Sequence, residues 1–159
     1  MTLPSGPGAP ASGSFRASGT VLAFDFGEKR IGVATGSLET RIAHPLETIA
    51  SELNDVRFAR IGALIAEWKP VLLVVGLPFH LDGTEHDLTR LARRFSHRLN
   101  GRFGLPVEFV DERLTSVEAE SNLREAGITG RNQKAHVDAV AAQTILQSYF
   151  DSRHHDQAA

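Results

Sequence analysis

Hydrophobic and polar positions alternate with strand-like spacing near the start of the chain, over Val21–Thr35. An apolar run suited to a buried strand leads into the polar, glycine-bearing turn Phe26–Lys29, and a second strand follows. Alternation on that second strand places three small residues on one face: Gly32, Ala34 and Gly36. A face without large side chains lets another backbone come close. The pattern therefore predicts a β-hairpin with one face that a helix or another backbone can approach closely.

Downstream, the pattern predicts an edge strand and then an amphipathic helix. The strand covers Ala43–Ile49, and Pro45 places it at an edge because proline has no amide hydrogen to donate to a neighbouring strand. The helix that follows has Ser51 or Asn54 as its candidate cap and ends at Pro70. Its apolar stripe consists of residues at helical spacing: Phe58, Ile61, Leu64, Ile65 and Trp68.

The middle of the chain predicts a central strand and a second helix. Val71–Val75 is a continuous apolar run rich in valine, which is typical of a strand covered on both faces. Asp82–Thr84 then opens a helix that runs to about Asn100. One side of this helix is expected to be apolar: Leu88, Leu91, Ala92, Phe95 and Leu99.

The last third of the chain predicts one short strand and two helices. The strand is Pro106–Val110, and Thr115 with Glu118 forms a capping box for a helix that ends at Gly127. The final helix is predicted over 131–150. Strands come first, then helix and strand alternate, and helices come last. This order predicts an α/β fold in which helices flank a mixed sheet.

Composition sets the predicted boundaries of the folded part. Residues 1–19 are rich in Pro, Gly, Ala and Ser, so they cannot offset their ordering entropy and are predicted to be a disordered leader. Residues 151–159 are polar and are predicted to be a flexible tail. The remaining residues, 20–150, have a length typical of a single domain. The longest strongly apolar run, Val71–Leu77, is far too short to span a bilayer, which predicts a soluble protein.

Charge and cysteine content limit the functions that the protein can have. The chain of 159 residues has 17 basic and 19 acidic side chains, so its formal charge of −2 does not by itself indicate a nucleic-acid partner. Locally, five arginines crowd the second predicted helix: Arg90, Arg93, Arg94, Arg98 and Arg102. They form either a solvated face or a stripe that follows phosphates. The absence of cysteine excludes disulfides, thiolate zinc sites and thiol nucleophiles, and it fits a cytoplasmic location.

Two acids occupy positions where an acid is unexpected. Asp25 lies within a predicted buried strand, where an unpaired carboxylate is costly and normally protonates or finds a partner. Its alternative role is to form a turn at the strand end. Asp138 shares a helical stripe with small and apolar residues, so it points toward the body of the protein. Its alternative role is a boundary acid paired with Lys134, four residues earlier.

A third candidate acid follows the last predicted strand. Ligands in α/β proteins gather outside the carboxyl ends of strands, and both Asp111 and Glu112 lie at such an end. A regular strand would point these two neighbours to opposite faces, so only one of them can join a given site. The residues alone leave the choice open. Either acid could instead bind nearby backbone amides in a loop.

Taken together, three acids at element ends predict a divalent-metal site for phosphate chemistry. Carboxylates are the hard oxygen ligands that Mg²⁺ or Mn²⁺ prefers. Two such ions about 4 Å apart activate a water and stabilise the leaving oxygen of a phosphodiester. Basic residues close in sequence offset the repulsion between the acids and are candidate phosphate contacts: Lys29, Arg30, Arg113 and Arg131.

The chain resembles the YqgF/RuvX family, whose members are described as Holliday junction resolvases and as pre-16S ribosomal RNA nucleases. Four runs of residues carry the resemblance: 24–34, 76–78 with 82–84, 111–116, and 137–142. They occur in the family's order and span about Thr20 to Phe150. Two positions depart from the family pattern. Gly36–Ser37 stands where relatives often have an acid, and Ala135–His136 stands where they tend to be more basic.

The resemblance implies a fold and a set of site residues. The fold is ribonuclease H-like, with a mixed five-stranded sheet and helices on both faces. The metal-binding and catalytic acids are Asp25, Glu112 and Asp138, so the resemblance selects Glu112 over its neighbour. Lys29 and Arg30 match the family's basic pair after the first turn, where a contact with substrate phosphate is expected.

The resemblance also implies the activity. The leading expectation is a metal-dependent endonuclease, using two Mg²⁺ or Mn²⁺ ions, that matures the 5′ end of pre-16S ribosomal RNA. The first alternative is a Holliday junction resolvase that acts on branched DNA, because hydrolysis at a two-metal site is indifferent to the base. The second is a non-catalytic RNA-binding protein that retains the acids for folding. A monomer or a homodimer is compatible with the sequence.

Overall fold

The computed structural model describes residues 18–114 and 130–158, with side chains described for 18–113 and 137–152. Its strands are β1 (Thr20–Phe26), β2 (Ile31–Ser37), β3 (Ala43–Ile49), β4 (Leu72–Leu77) and β5 (Val107–Asp111). Its helices are α1 (Asn54–Trp68), α2 (Asp87–Phe103) and α3 (Gly130–Ala158), and a single 3₁₀ turn, Glu112–Leu114, follows β5. The predicted leader up to residue 17 and the predicted helix between Thr115 and Gly127 lie outside the described residues.

The five strands form one mixed sheet in the order β3-β2-β1-β4-β5. The β1–β2 and β2–β3 pairs are antiparallel, and the β1–β4 and β4–β5 pairs are parallel. The sheet confirms the predicted hairpin and the predicted central strand, since β4 lies between two neighbours and is buried throughout. It also confirms β3 as an edge strand. The register between β2 and β3 shifts beside Pro45, at the step from Val33 to Ala34.

Helices cover both faces of the sheet, so the side chains of each strand divide between two hydrophobic cores. On β1, Val21 and Ala23 face α3, whereas Leu22 and Phe24 face α1 and α2. All four side chains are inaccessible to solvent. This alternation follows from the period of two in an extended strand. It accounts for the continuous apolar runs in the central strands.

The bare face of β2, which consists of Gly32, Ala34 and Gly36, is closely approached by α3, as predicted. A Cβ atom added to Gly32 would overlap the carbonyl oxygen of Asp138 in α3. A Cβ atom added to Gly36 would lie 2.8 Å from the ring of Phe150, near the other end of the same contact. Any larger residue would force α3 away from the sheet. The two glycines therefore let α3 lie directly on β2.

The start of α1 differs from the prediction, because neither candidate cap performs that role. The N-cap residue is Leu53, which makes no side-chain capping bond, and Asn54 is already the first helical residue. The Ser51 hydroxyl accepts a hydrogen bond from the Leu53 amide, just before the helix. The predicted end is close to the observed one. Lys69 adopts a left-handed conformation after the last turn, and Pro70 follows it.

The start of α2 also differs, since Asp82–Thr84 forms a tight turn before the helix rather than its first residues. The Asp82 carboxylate accepts hydrogen bonds from the amide and hydroxyl of Thr84, and Gly83 has a φ of +92°. Side-chain bonding to the local backbone competes with helix formation in this way. The helix begins at Asp87, and the ring of His86 caps it by accepting a hydrogen bond from the Leu88 amide at 3.1 Å.

Two further predictions differ in detail from the structure: which residues of α2 are buried, and where α3 ends. Ala92, Phe95 and Leu99 are buried as expected, but the other buried positions of α2 are Thr89 and Ser96 rather than the two predicted leucines. The backbone of α3 stays helical to Ala158, past the predicted end at Phe150, because no glycine or proline interrupts 151–158.

Among the described residues, no helix has both the length and the apolar character needed to cross a membrane.

Candidate active site

The parallel strands end at one edge of the sheet, and this edge positions two of the predicted acids. Asp25 lies near the carboxyl end of β1, and Glu112 follows directly after β5. The Glu112 side chain folds over Gly76 of β4, where an added Cβ atom would lie 2.8 Å from its Cγ and 2.9 Å from its Oε2. A glycine in the intervening strand thus provides the space that brings the Glu112 carboxyl toward Asp25.

Asp25 and Glu112 interact as a hydrogen-bonded carboxyl pair. Burial raises the pKa of Asp25 well above its ordinary value, and the charges of Glu112 and Asp138 and the hydrogen bond to Glu112 raise it further. Burial also raises the pKa of Glu112 to about 7; the hydrogen bond with Asp25 opposes this rise, and the charge of Asp111 adds to it. The pair therefore favours one bound proton over two facing negative charges, and this proton belongs to the pair rather than to either residue.

Asp138 approaches the same edge from α3. Its carbonyl oxygen lies against Gly32, which is the residue paired with Asp25 across the β1–β2 hairpin. Its carboxylate accepts a hydrogen bond from Arg30 Nε at 2.8 Å and is 20% exposed. The observed partner is thus Arg30, whereas the side chain of Lys134, the alternative partner, lies outside the described residues. The contact between α3 and the bare face of β2 brings the third acid close enough to influence Asp25.

Asp111 and Glu112 are adjacent in sequence but bind different partners. The Asp111 carboxylate accepts hydrogen bonds from Nη2 of Arg113 at 2.6 Å and from Nε at 3.0 Å. These bonds hold the pKa of Asp111 below its ordinary value, so this acid stays ionised. Glu112 instead faces Asp25. The 3₁₀ turn that begins at Glu112 separates the two side chains.

The four predicted phosphate contacts have different surroundings. Lys29 is exposed in the turn between β1 and β2, and Arg30 pairs with Asp138. Arg113 pairs with Asp111, and its guanidinium lies over a phenylalanine ring at 5.6 Å in the loop after β4. The side chain of Arg131 lies outside the described residues. A role for these residues in substrate binding stays a prediction.

Arg57 is a buried residue near the site that the sequence interpretation missed. Its Nη2 donates to the carbonyl oxygens of Gly27 at 2.7 Å and Glu28 at 2.6 Å, and its guanidinium lies 5.4 Å from the centre of the Phe26 ring. These contacts fix the turn that follows Asp25. A signal was available, because Arg57 shares the helical spacing of the buried stripe: Ile61, Leu64 and Trp68 lie four, seven and eleven positions further on.

The carboxylate oxygens at the carboxyl ends of the parallel strands suit a hard divalent cation. Asp25 and Glu112 supply carboxylate oxygens that already converge, and burial together with nearby negative charges raises the pKa of both. Mg²⁺ and Mn²⁺ prefer such oxygen ligands. Within the described ranges, no three acidic or histidine side chains already surround an ion position. The third candidate ligand, Asp138, is paired with Arg30 in the structure.

The family assignment rests on a match across most of the chain. The family model described as "RuvX: Holliday junction resolvase" matches residues 19–152. The chain belongs to the RuvX family. A relative from Dechloromonas aromatica is 63% identical over 137 residues, covering 86% of this chain and 94% of the relative. A relative from Methylobacillus flagellatus is 63% identical over 133 residues, covering 84% and 91%. Both carry the name "Putative pre-16S rRNA nuclease".

Solved structures show the fold of this RuvX family member. Thermus thermophilus RuvC in complex with a Holliday junction substrate superposes with a TM-score of 0.52 at 18% identity, covering 86% of this chain and 96% of that chain. A second T. thermophilus RuvC structure gives a TM-score of 0.50 at 17% identity with the same coverage. The likeness confirms the predicted ribonuclease H-like fold, in which helices flank a mixed five-stranded sheet.

Proposed function

We propose that this RuvX family member is a metal-dependent endonuclease that hydrolyses phosphodiester bonds in the maturation of the 5′ end of pre-16S ribosomal RNA. The observation that carries the proposal is the buried, hydrogen-bonded pair of Asp25 and Glu112 at the carboxyl edge of a ribonuclease H-like sheet, with Asp138 close enough for its charge to act on Asp25. The names of the relatives, which are up to 63% identical, support the RNA substrate.

The three acids would hold the metal, and nearby cations would hold the substrate. Asp25, Glu112 and Asp138 are the proposed ligands for two Mg²⁺ or Mn²⁺ ions. When bound, such ions supply an activated water and stabilise the leaving oxygen of a phosphodiester. Arg30 neutralises Asp138 in the observed arrangement and is free to contact a phosphate once that carboxylate turns toward a metal. Lys29 is exposed beside it in the same turn.

The remaining proposed phosphate contacts are Arg113 and Arg131. The Arg113 side chain follows Glu112 and is one-third exposed, so its guanidinium can reach a phosphate near the site while still held by Asp111. Arg131 is proposed on sequence grounds alone. The proposal locates the activity in the cytoplasm, where bacterial precursor ribosomal RNA is made.

A second candidate substrate is branched DNA. The matching family model is described as a Holliday junction resolvase, and metal-assisted hydrolysis attacks the phosphodiester without reading the base. A resolvase that cuts two strands symmetrically requires a dimer, whereas trimming one RNA strand does not. Purified protein tested on precursor 16S RNA and on a four-way DNA junction separates these functions. Faster cleavage of the junction, together with a dimer in analytical ultracentrifugation, would favour the resolvase.

The test of the catalytic site is Asp25→Asn, which removes the charge but keeps the shape of the side chain. We expect this variant, and Asp138→Asn, to lose Mg²⁺- or Mn²⁺-dependent cleavage by orders of magnitude while the circular dichroism spectrum stays native. The matched control is Asp55→Asn, which alters an exposed acid in the first turn of α1 and should cleave like the wild type.

Two results would contradict the proposal. Undiminished cleavage by purified Asp25→Asn would remove the three-acid mechanism. Tight RNA binding without cleavage by the wild-type protein, in Mg²⁺ and in Mn²⁺, would favour the non-catalytic RNA-binding alternative.

A further inference from the structure

The outer side of α2 carries a regular line of positive charge. The buried residues of this helix lie on one side, centred on Ala92 and Leu99. At about 100° per residue, the opposite side is occupied by Arg90, Arg94 and Arg98, which we call the arginine row. Successive members are four residues apart, so the row spans about 12 Å along the helix axis. All three residues are exposed.

Among the described residues, few groups neutralise the row. Arg90 pairs with Asp87, the single acid in the sequence of α2. Within the described part of the chain, no ion pair or hydrogen bond involves the side chain of Arg94 or Arg98. The chain as a whole is slightly acidic, with a formal charge of −2. The positive charge on α2 is therefore a local feature that differs in sign from the average.

The other two arginines of the helix have partners beside the row. Arg93 lies 2.9 Å from the carboxylate of Glu85, and the Arg102 guanidinium lies 4.4 Å from the centre of the Phe58 ring. Both side chains therefore have a local structural contact. Arg94 and Arg98 differ from them, since both are exposed and neither side chain has an ion pair or hydrogen bond with another described residue.

The row is also connected to the proposed active site. The loop before α2 leaves β4 at the same edge where Glu112 folds over Gly76, and the helix runs back from that edge. Arg90 is the member nearest the edge, and Arg98 is the furthest from it. A strand that leaves the site across this face would meet the three guanidinium groups in succession.

We propose that the arginine row binds the phosphate backbone of the nucleic-acid substrate outside the cleavage site. The proposal rests on the proposed function for the identity of the substrate. Guanidinium groups bind phosphate oxygens with two parallel hydrogen bonds. A row of identical side chains on a convex helix face offers little means of reading bases, so the contact is insensitive to sequence.

The test is the salt dependence of RNA binding by Arg94→Gln/Arg98→Gln. Each phosphate contact with single-stranded nucleic acid contributes about 0.7 to the slope of log K against log salt concentration, so losing two contacts should lower that slope by about 1.4. Binding is measured by fluorescence anisotropy, in EDTA to prevent cleavage, with a fluorescein-labelled RNA that covers the 5′ precursor segment of 16S RNA. Thermal unfolding checks that the variant is folded.

The matched control is Arg60→Gln/Lys69→Gln, which also removes two exposed positive charges but from α1 and its C-terminal cap. We expect the control to keep the wild-type slope. Equal slopes for the two double variants would overturn the proposal and make the row a solvated helix face. Because binding is measured without metal, this outcome is separate from the proposed function, which fails if the wild-type protein cuts no substrate.

Discussion

At the scale of single residues, Asp25 and Glu112 are two acidic side chains that are both buried and hydrogen-bonded to each other, an arrangement that is rare in stable proteins. Both carboxyls are largely removed from solvent and face each other, and each therefore resists ionisation. Arg30 offsets the third acid, Asp138, but not this pair. Groups with strongly shifted pKa values cluster at functional sites, which agrees with the metal site proposed for this pair. The cost of the pair should be measurable as a dependence of stability on pH.

We predict that Glu112→Gln weakens the pH dependence of folding stability. The pKa of Glu112 is about 7 in the fold and near 4.5 in the unfolded chain, so the folded state binds more protons between these values. The free energy of unfolding of the wild type should therefore fall as the pH rises from about 4.5 to about 7. Without metal at pH 8, the variant should be more stable by up to about 3 kcal/mol.

Urea denaturation in EDTA at pH 5 and pH 8 measures this difference. The control is Glu108→Gln, which removes an exposed glutamate four residues earlier on β5 and should follow the wild-type pH dependence. If Glu112→Gln loses as much stability between the two pH values as the wild type, Glu112 does not contribute to the pH dependence, and its pKa is not raised in the fold.

At the scale of elements, contact between α3 and β2 determines where the third acid lies. Gly32 is the point of closest approach, and the backbone of Asp138 packs against it. The turn after β1 is fixed separately by Arg57, which reaches it from α1. Two elements that are distant in sequence thus constrain the same few residues around Asp25.

We predict that Gly32→Ala both destabilises the protein and impairs the site. The new methyl group would overlap the Asp138 carbonyl oxygen, so α3 must move outward. Overpacking of this kind costs about 1–3 kcal/mol, and occasionally more. Chemical denaturation measures the loss of stability. Cleavage should fall as well, because the Asp138 carboxylate moves with its backbone.

Gly101→Ala is the matched control for this prediction. Gly101 lies in α2, and an added Cβ atom has no heavy atom within 4 Å. Alanine is favoured over glycine in a helix by up to about 1 kcal/mol, so this variant should be slightly more stable than the wild type. Equal effects of the two substitutions would show that α3 does not pack on Gly32 as closely as observed.

At the scale of the whole molecule, the three acids are contributed by β1, by the turn after β5 and by α3. The strands lie between two hydrophobic cores, and α3 covers only one of them. An unfolded chain cannot hold three such distant groups together. A metal ion bound by them would therefore stabilise the folded state as a whole.

We predict that Mn²⁺ raises the thermal unfolding temperature of the wild type, and raises it more at pH 8 than at pH 6, because the ion competes with the shared proton. At 100 times its dissociation constant, one bound ion adds about 2.7 kcal/mol of stability. Differential scanning calorimetry with Mn²⁺ or with EDTA measures the effect. Asp55→Asn should keep the shift, and Asp25→Asn should lose it. A full shift in Asp25→Asn would place the metal elsewhere.

The sequence alone determined the features that depend on local pattern. Apolar runs located the strands, and alternation placed the small residues of β2 on one face, where a helix or another backbone could come close. The acids at positions 25 and 138 were recognisable because a carboxylate within an apolar run or stripe is unusual. The end of the last strand offered both Asp111 and Glu112, and the family resemblance selected Glu112. The order of strands and helices predicted the α/β class. These signals are encoded by residues a few positions apart.

Only the tertiary structure decided which partner each charged residue takes. Arg30 and Asp138 are 108 positions apart, and Arg57 reaches a turn 29 positions away. Two acids that are adjacent in sequence also take different partners in the fold: Asp111 binds Arg113, and Glu112 forms a hydrogen bond with Asp25. Such choices depend on which groups the packed sheet and helices bring within hydrogen-bond distance and remove from water. The spacing of residues along the chain does not specify these partners, so they are determined only when the chain has folded.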